Sequence, residues 1–178
     1  EFYEDTDYFY WVSDYYPNGD LYDYVEKNKT LMNDGAPELQ ISKLLKPIYE
    51  IHNNNICHLD LKLENFLVKD NFDYLLIDFH SSRVHNSDYY QLMKTDLRGT
   101  EPYIAPEVYD GYYCKSTDMY GLGCMLYLML TRKNITEYDA KLLNKYPVQI
   151  SGLVKDLLSE NYKHRPSIHD IFHLYSLT

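Results

Sequence analysis

Five polar side chains recur at short intervals among leucines in the run His58-Leu-Asp-Leu-Lys-Leu-Glu-Asn65, and three of them could do chemistry together. The Asp60 carboxylate can accept or orient a proton from an attacking hydroxyl. Lys62 can neutralise charge on a transferring phosphoryl group, and Asn65 offers an uncharged oxygen to Mg2+. Further along, the apolar run Leu75-Leu-Ile77 ends in Asp78-Phe-His80, which brings a second carboxylate. A third run, Gly99-Thr-Glu-Pro-Tyr-Ile-Ala-Pro-Glu107, is rich in turn formers. Asp118-Met-Tyr-Gly-Leu-Gly123 sets an aspartate at the head of an apolar stretch, where a buried carboxylate requires partners. His164-Arg-Pro166 adds a guanidinium.

The elements that must position these groups follow from hydrophobic spacing. Tyr8 to Val12 reads as a strand, closed by the turn signal Pro17-Asn-Gly19. Leu21 to Lys29 reads as a short helix. Asn33 to Pro37 is a loop whose proline suits the first turn of a helix from about Glu38 to Asn53. Leu39, Ile41, Leu44, Leu45, Ile48 and Ile51 carry that helix's apolar spacing. Phe66 to Val68 and Tyr74 to Ile77 read as small strands flanking charged loops, and His80 to Arg98 as a long surface segment. Asp118 to Leu130 is apolar nearly all round, the mark of a fully buried helix. Ile150 to Leu158 and Ser167 to Leu174 are amphipathic helices. The chain is one mainly helical unit without internal repeats.

Composition narrows the function classes. With 178 residues, 45% of them apolar, the chain can bury a real core. Its 27 acidic residues against 17 basic give a net charge of −10, which argues against nonspecific nucleic-acid binding. Cys57, Cys114 and Cys124 are widely spaced and odd in number, with no metal-ligand or disulfide pattern. A reducing, intracellular setting, cytoplasmic or nuclear, is expected. No apolar run is long enough to span a membrane. The 21 tyrosines are read as compositional bias.

In this order the five runs resemble motifs of the eukaryotic protein-kinase family: H-R-D-L-K-x-x-N, D-F-G, G-T-x-x-Y-x-A-P-E, D-x-W-S-x-G and the late arginine. The resemblance covers essentially the whole chain. It implies an α+β, protein-kinase-like fold: a mainly helical C-terminal lobe with small β-hairpins and a remnant strand of the N-terminal lobe. Residues 1–13 would then be the last small-lobe strands, 14–20 the hinge and 21–178 the large lobe. The implied activity is serine/threonine phosphorylation with ATP and Mg2+ on a protein substrate. Lys62 and the Gly99-Thr100 pair resemble the serine/threonine branch.

By the same resemblance, Asp60, Lys62, Asn65 and Thr100 are catalytic, with Thr100 hydrogen-bonded to both Asp60 and Lys62. Asn65 and Asp78 hold the metal. Adenine meets backbone groups of Asp14 and Tyr16, Ser13 is the gatekeeper, and Asp20 meets the ribose. Leu67 and Ile77 lie near the adenine face, or are plain core residues. Asp118 caps the catalytic-loop backbone near His58, and Arg165 pairs with Glu107. Asp20 and Glu64 match positions that bind basic residues upstream of the target hydroxyl.

Four departures matter. Leu59 stands where the family has arginine, so a phosphate clamp is missing and activity is expected to be independent of activation-segment phosphorylation. Asp96 occupies the usual phosphothreonine position. His80 stands where glycine is usual, at a turn where a side chain can cost about 1 kcal/mol or more. Tyr120 replaces the tryptophan. A Gly-rich phosphate loop, its strand lysine and the helix glutamate are absent from this sequence, and its first residue is Glu1 rather than Met. The sequence is therefore expected to be part of a longer one, and alone to bind ATP poorly and to be inactive. The competing reading is a pseudokinase scaffold that binds partners without transferring phosphate.

Overall fold

The computed structural model describes residues 1–32 and 37–175. The predicted Asn33–Ala36 loop lies outside them, and Pro37 opens the next helix. The chain begins with an antiparallel hairpin of β1 (Phe2–Glu4) and β2 (Phe9–Trp11), pairing Phe2 with Trp11. The sequence patterning had indicated only the second strand. Both faces of this hairpin are exposed.

α1 (Leu21–Lys27) starts at Asp20, whose carboxylate accepts from the Asp23 amide at 2.9 Å. α2 (Pro37–Asn53) buries Ile41, Leu44, Leu45 and Ile48, but leaves Leu39 exposed. Three small strand pairs follow from short runs of sequence. β3 (Ile56–Cys57) pairs with β6 (Arg83–Val84), β4 (Phe66–Val68) with β5 (Tyr74–Leu76), and β7 (Met93–Lys94) with β8 (Tyr112–Tyr113), all antiparallel. With the first hairpin these are the four pairs among the described residues. The stretch expected to run along the surface thus contributes β6 and β7, and it buries His85 completely.

α3 (Pro106–Tyr109) precedes the central helix α4 (Lys115–Thr131). Met119, Leu122, Met125, Leu126, Tyr127 and Met129 of α4 are fully buried, as its unbroken apolar character predicts. Each such side chain contributes about 1.5–3 kcal/mol. Two glycines let neighbours approach it. A Cβ on Gly121 would stand 3.1 Å from the Leu61 carbonyl oxygen, and one on Gly123 2.9 Å from Leu157 Cβ. α5 (Val148–Leu157) packs against α4, and α6 (Ile168–Tyr175) against α2, where the Tyr49 and Phe172 rings stack at 4.0 Å. The result is an α+β, mainly helical architecture with small strand pairs, the fold class that the resemblance implies. No described helix is long and apolar enough to cross a membrane.

Candidate active site

The loop after β3 is held from α4. Asp118, buried at the first turn of that helix, accepts from the His58 amide at 2.7 Å and the Leu59 amide at 2.8 Å. The same carboxylate meets His52 Nε2 at 2.9 Å. These bonds oppose the strain of Leu59, whose φ of 64° costs a branched residue about 1–3 kcal/mol. The loop is therefore bent back on itself and presents Asp60.

Around Asp60 the predicted catalytic side chains meet. Lys62 Nζ lies 3.1 Å from Asp60 Oδ2 and donates to Thr100 Oγ1 at 2.7 Å. Asn65 Nδ2 donates to the Asp60 carbonyl at 2.8 Å and to Oδ2 at 3.3 Å. Thr100 was expected to bond both Asp60 and Lys62. It bonds Lys62 alone among the described residues, because Lys62 stands between them. Among the described residues, Asp60 Oδ1 is buried without a hydrogen-bond partner, and so is Arg98 Nε. Both residues line a cavity of about 10 Å³, roughly the room one water needs. Gly99 borders it at φ 97°, where a Cβ would fall 2.9 Å from the Leu59 carbonyl oxygen. A glycine is required there twice over.

Asp78 joins this cluster through its neighbour. The Ile77 amide donates to the Asn65 carbonyl at 2.9 Å, and the Ile77 carbonyl accepts from His58 Nε2 at 2.9 Å. The Phe79 ring stands edge-on to His58 at 5.0 Å. Asp78 itself takes the left-handed conformation, φ 64° and ψ 71°. His80 does not: it sits inside a 3-10 turn, Phe79–Ser81. The cost anticipated for a side chain at His80 is therefore not incurred in this conformation. His80 acts differently, placing Nδ1 2.6 Å from Asp78 Oδ1. That hydrogen bond is the main reason the Asp78 pKa falls below the ordinary carboxylate value. Asn65 commits its amide nitrogen to Asp60, so Oδ1 is the side-chain atom it can offer a cation. An ionised carboxylate and an amide oxygen form the all-oxygen donor set that suits Mg2+, which usually takes one or two carboxylates and keeps its waters.

The expected nucleotide-contacting residues separate into two groups. Asp20 forms a β-bridge with Leu67, and the Val68 amide donates to the Gly19 carbonyl at 3.0 Å. Leu67 and Ile77 are both half-buried, on the side of the β4–β5 hairpin opposite the buried Phe66, Val68, Tyr74 and Leu76. Leu75, directly across from Leu67, shares that side, and period-two alternation could have named it. Ser13 and Asp14 are exposed and Tyr16 is half-buried. Among the described residues, no hydrogen bond joins the side chains of these three to the Asp60 loop.

Behind the site, Arg165 is fully buried and bidentate to Glu107, at 2.7 and 2.8 Å. Thr117 Oγ1 also donates to Glu107, at 2.8 Å. Leu59 packs with Cys57 and Tyr113, and Met93 covers them. Where the family motif has a cation, this chain has an apolar cluster joining the loop to β7 and β8. Sequence reading missed Arg98 and Tyr89. Nothing in their spacing marks them; Tyr89 is brought inward by contacts distant in sequence, and Arg98 is placed at the cavity beside Asp60.

A mainly helical lobe thus carries a pinned loop with Asp60, Lys62 and Asn65, and a second aspartate, Asp78, beside it. The comparisons state the family. The protein kinase domain model matches residues 1–175, and the chain belongs to that family. It is 38% identical over 135 residues to calcium-dependent protein kinase 4 of Plasmodium falciparum, covering 74% of this chain and 25% of that protein. Serine/threonine-protein kinase ppk16 of Schizosaccharomyces pombe is 33% identical over 178 residues, 91% of this chain and 26% of the relative. Aurora kinase A-B of Xenopus laevis is 31% identical over 168 residues, 89% and 40%. The chain thus spans between a quarter and two fifths of the length of these relatives.

Proposed function

We propose that this chain is the hinge (residues 14–20) and carboxy-terminal lobe (21–178), with the last small-lobe strands (1–13), of a serine/threonine protein kinase acting inside the cell. The observation that carries the reading is the hydrogen-bonded cluster of Asp60, Lys62, Asn65 and Thr100, with Asp78 attached through Ile77. Asp60 orients the acceptor hydroxyl and takes its proton. Lys62, already between Asp60 and Thr100, offsets negative charge at the transferring group and keeps both side chains in register. Asn65 and Asp78 hold Mg2+, and Ser13, Asp14, Tyr16, Asp20, Leu67 and Ile77 line the nucleotide side. Bound Mg·ATP supplies the γ-phosphoryl group. The exposed Glu64 and the half-buried Asp20 favour a protein substrate with basic residues upstream of its target hydroxyl.

The test is Mg·ATP-dependent phosphorylation of a basic serine peptide by the full-length protein. Asp60→Asn is expected to lower kcat about 10²–10⁴-fold, the usual worth of a positioned base. Equal turnover by both proteins refutes the assignment. The scaffold reading has one observation in its favour: His80 already occupies an oxygen of Asp78. His80→Gly separates the two. Mg·ATP affinity that rises with restored turnover marks an attenuated kinase, and binding without turnover marks a scaffold.

A further inference from the structure

Tyr89 lies in the stretch that patterning reads as surface, yet its hydroxyl is buried, which pushes its pKa well above the ordinary phenol value. It reaches two partners on different elements. The amide of Ile168, at the start of α6, donates to Tyr89 Oη at 3.1 Å. His52 Nδ1, near the end of α2, stands 3.4 Å from the same oxygen, and the two rings meet edge to face at 5.8 Å.

Donor logic gives this contact a direction. The Asp118 carboxylate can only accept, so His52 Nε2 carries the hydrogen shared with it. In neutral His52, Nδ1 is then the acceptor, and the Tyr89 hydroxyl must donate to it. That leaves a lone pair on Oη for Ile168, whose amide is one of the unpaired donors at a helix start. Each group has a consistent role: Ile168 N–H to Tyr89, Tyr89 to His52, His52 to Asp118. Asp118 in turn receives the His58 and Leu59 amides. Only Tyr89 in this sequence of bonds belongs to the segment between Asp78 and Gly99.

We infer that Tyr89 is a positioning residue for the Asp60 loop, acting through His52 and Asp118. Seating of the segment against α2 and α6 is thereby felt at the backbone that presents Asp60. The kinetic part of this inference rests on the kinase reading; the structural part does not. Tyr90 is the natural control. Its hydroxyl also fastens the segment, donating to the Arg165 carbonyl at 2.8 Å, but it does not touch His52.

The experiment compares Tyr89→Phe and Tyr90→Phe by residue-resolved amide hydrogen exchange of the protein, with 15N shifts of the His52 ring. Tyr89→Phe is expected to accelerate exchange at His58 and Leu59 about three- to tenfold, the scale of one lost hydrogen bond, and to shift His52 Nδ1. Tyr90→Phe is expected to leave both unchanged. In phosphorylation assays Tyr89→Phe lowers kcat by a similar factor with KM for ATP retained. Unchanged exchange at those two amides, or a rise shared by core amides such as Leu126, overturns the inference. The exchange result stands even if the protein transfers no phosphate, so the two readings fail separately.

Discussion

Cutting the Glu107–Arg165 pair offers the sharpest check on how this lobe is held together. Arg165 is 0% exposed and Glu107 6%. The guanidinium donates to both carboxylate oxygens and also to the carbonyls of Ser159 at 2.8 Å and Ser116 at 3.1 Å, with the Tyr120 ring 5.1 Å from its centre. Arg165→Ala strands those carbonyls and leaves the Glu107 carboxylate, among the described residues, with Thr117 as its remaining side-chain donor. Breaking a buried pair in this way costs about 3–5 kcal/mol, against a total stability of about 5–15 kcal/mol for a domain. With a urea slope of about 2 kcal/mol per molar, the unfolding midpoint should fall by about 2 M. Glu107→Gln keeps an acceptor and should lose about 2–3 kcal/mol. The double variant Glu107→Leu with Arg165→Met buries no unpaired charge and should lose less than Arg165→Ala. Far-UV ellipticity is the proper signal, because Trp11, the one tryptophan, sits 80% exposed on the hairpin. A midpoint drop below about 0.5 M for Arg165→Ala would refute the reasoning.

Four further outcomes follow from particular contacts. Gly121→Ala should push the Leu61 backbone and destabilise by about 1–3 kcal/mol while lowering activity, whereas Gly152→Ala on α5, with nothing within 4 Å of its new Cβ, should stabilise slightly; thermal melts of both compare them directly. Asp170 accepts from the Ser167 hydroxyl at 2.7 Å and amide at 2.9 Å, which lowers its pKa, so its stabilisation is present above the unfolded-state value and is lost as pH falls through the lower folded one. Asp170→Asn should therefore cost about 1 kcal/mol at neutral pH and nothing in strong acid, as urea midpoints across pH will reveal. Ser13→Phe should abolish binding of inhibitors that carry a bulky group behind adenine, and equal binding before and after removes Ser13 from the gatekeeper position. Because Leu59 joins an apolar cluster rather than a phosphate clamp, phosphatase treatment should leave turnover unchanged, and a large loss would contradict it.

What the sequence determined by itself is whatever depends on short separations. Asp60, Lys62 and Asn65 lie within six consecutive residues, so any tight loop brings them together. The apolar length of α4 dictated its burial, and the short apolar runs of β4 and β5 marked them as strands. Tertiary structure decided the rest, because those contacts join residues that no local pattern relates. Asp118 reaches the loop from 60 residues away, and Thr100 meets Lys62 across 38. The same holds for which residue bears the left-handed strain, Asp78 rather than His80, and for the placement of Leu59 in an apolar cluster. Tyr89 shows the physical reason plainly. A tyrosine amid polar neighbours looks solvent-facing until two helices distant in sequence offer its hydroxyl one donor and one acceptor, and satisfying both draws it inside.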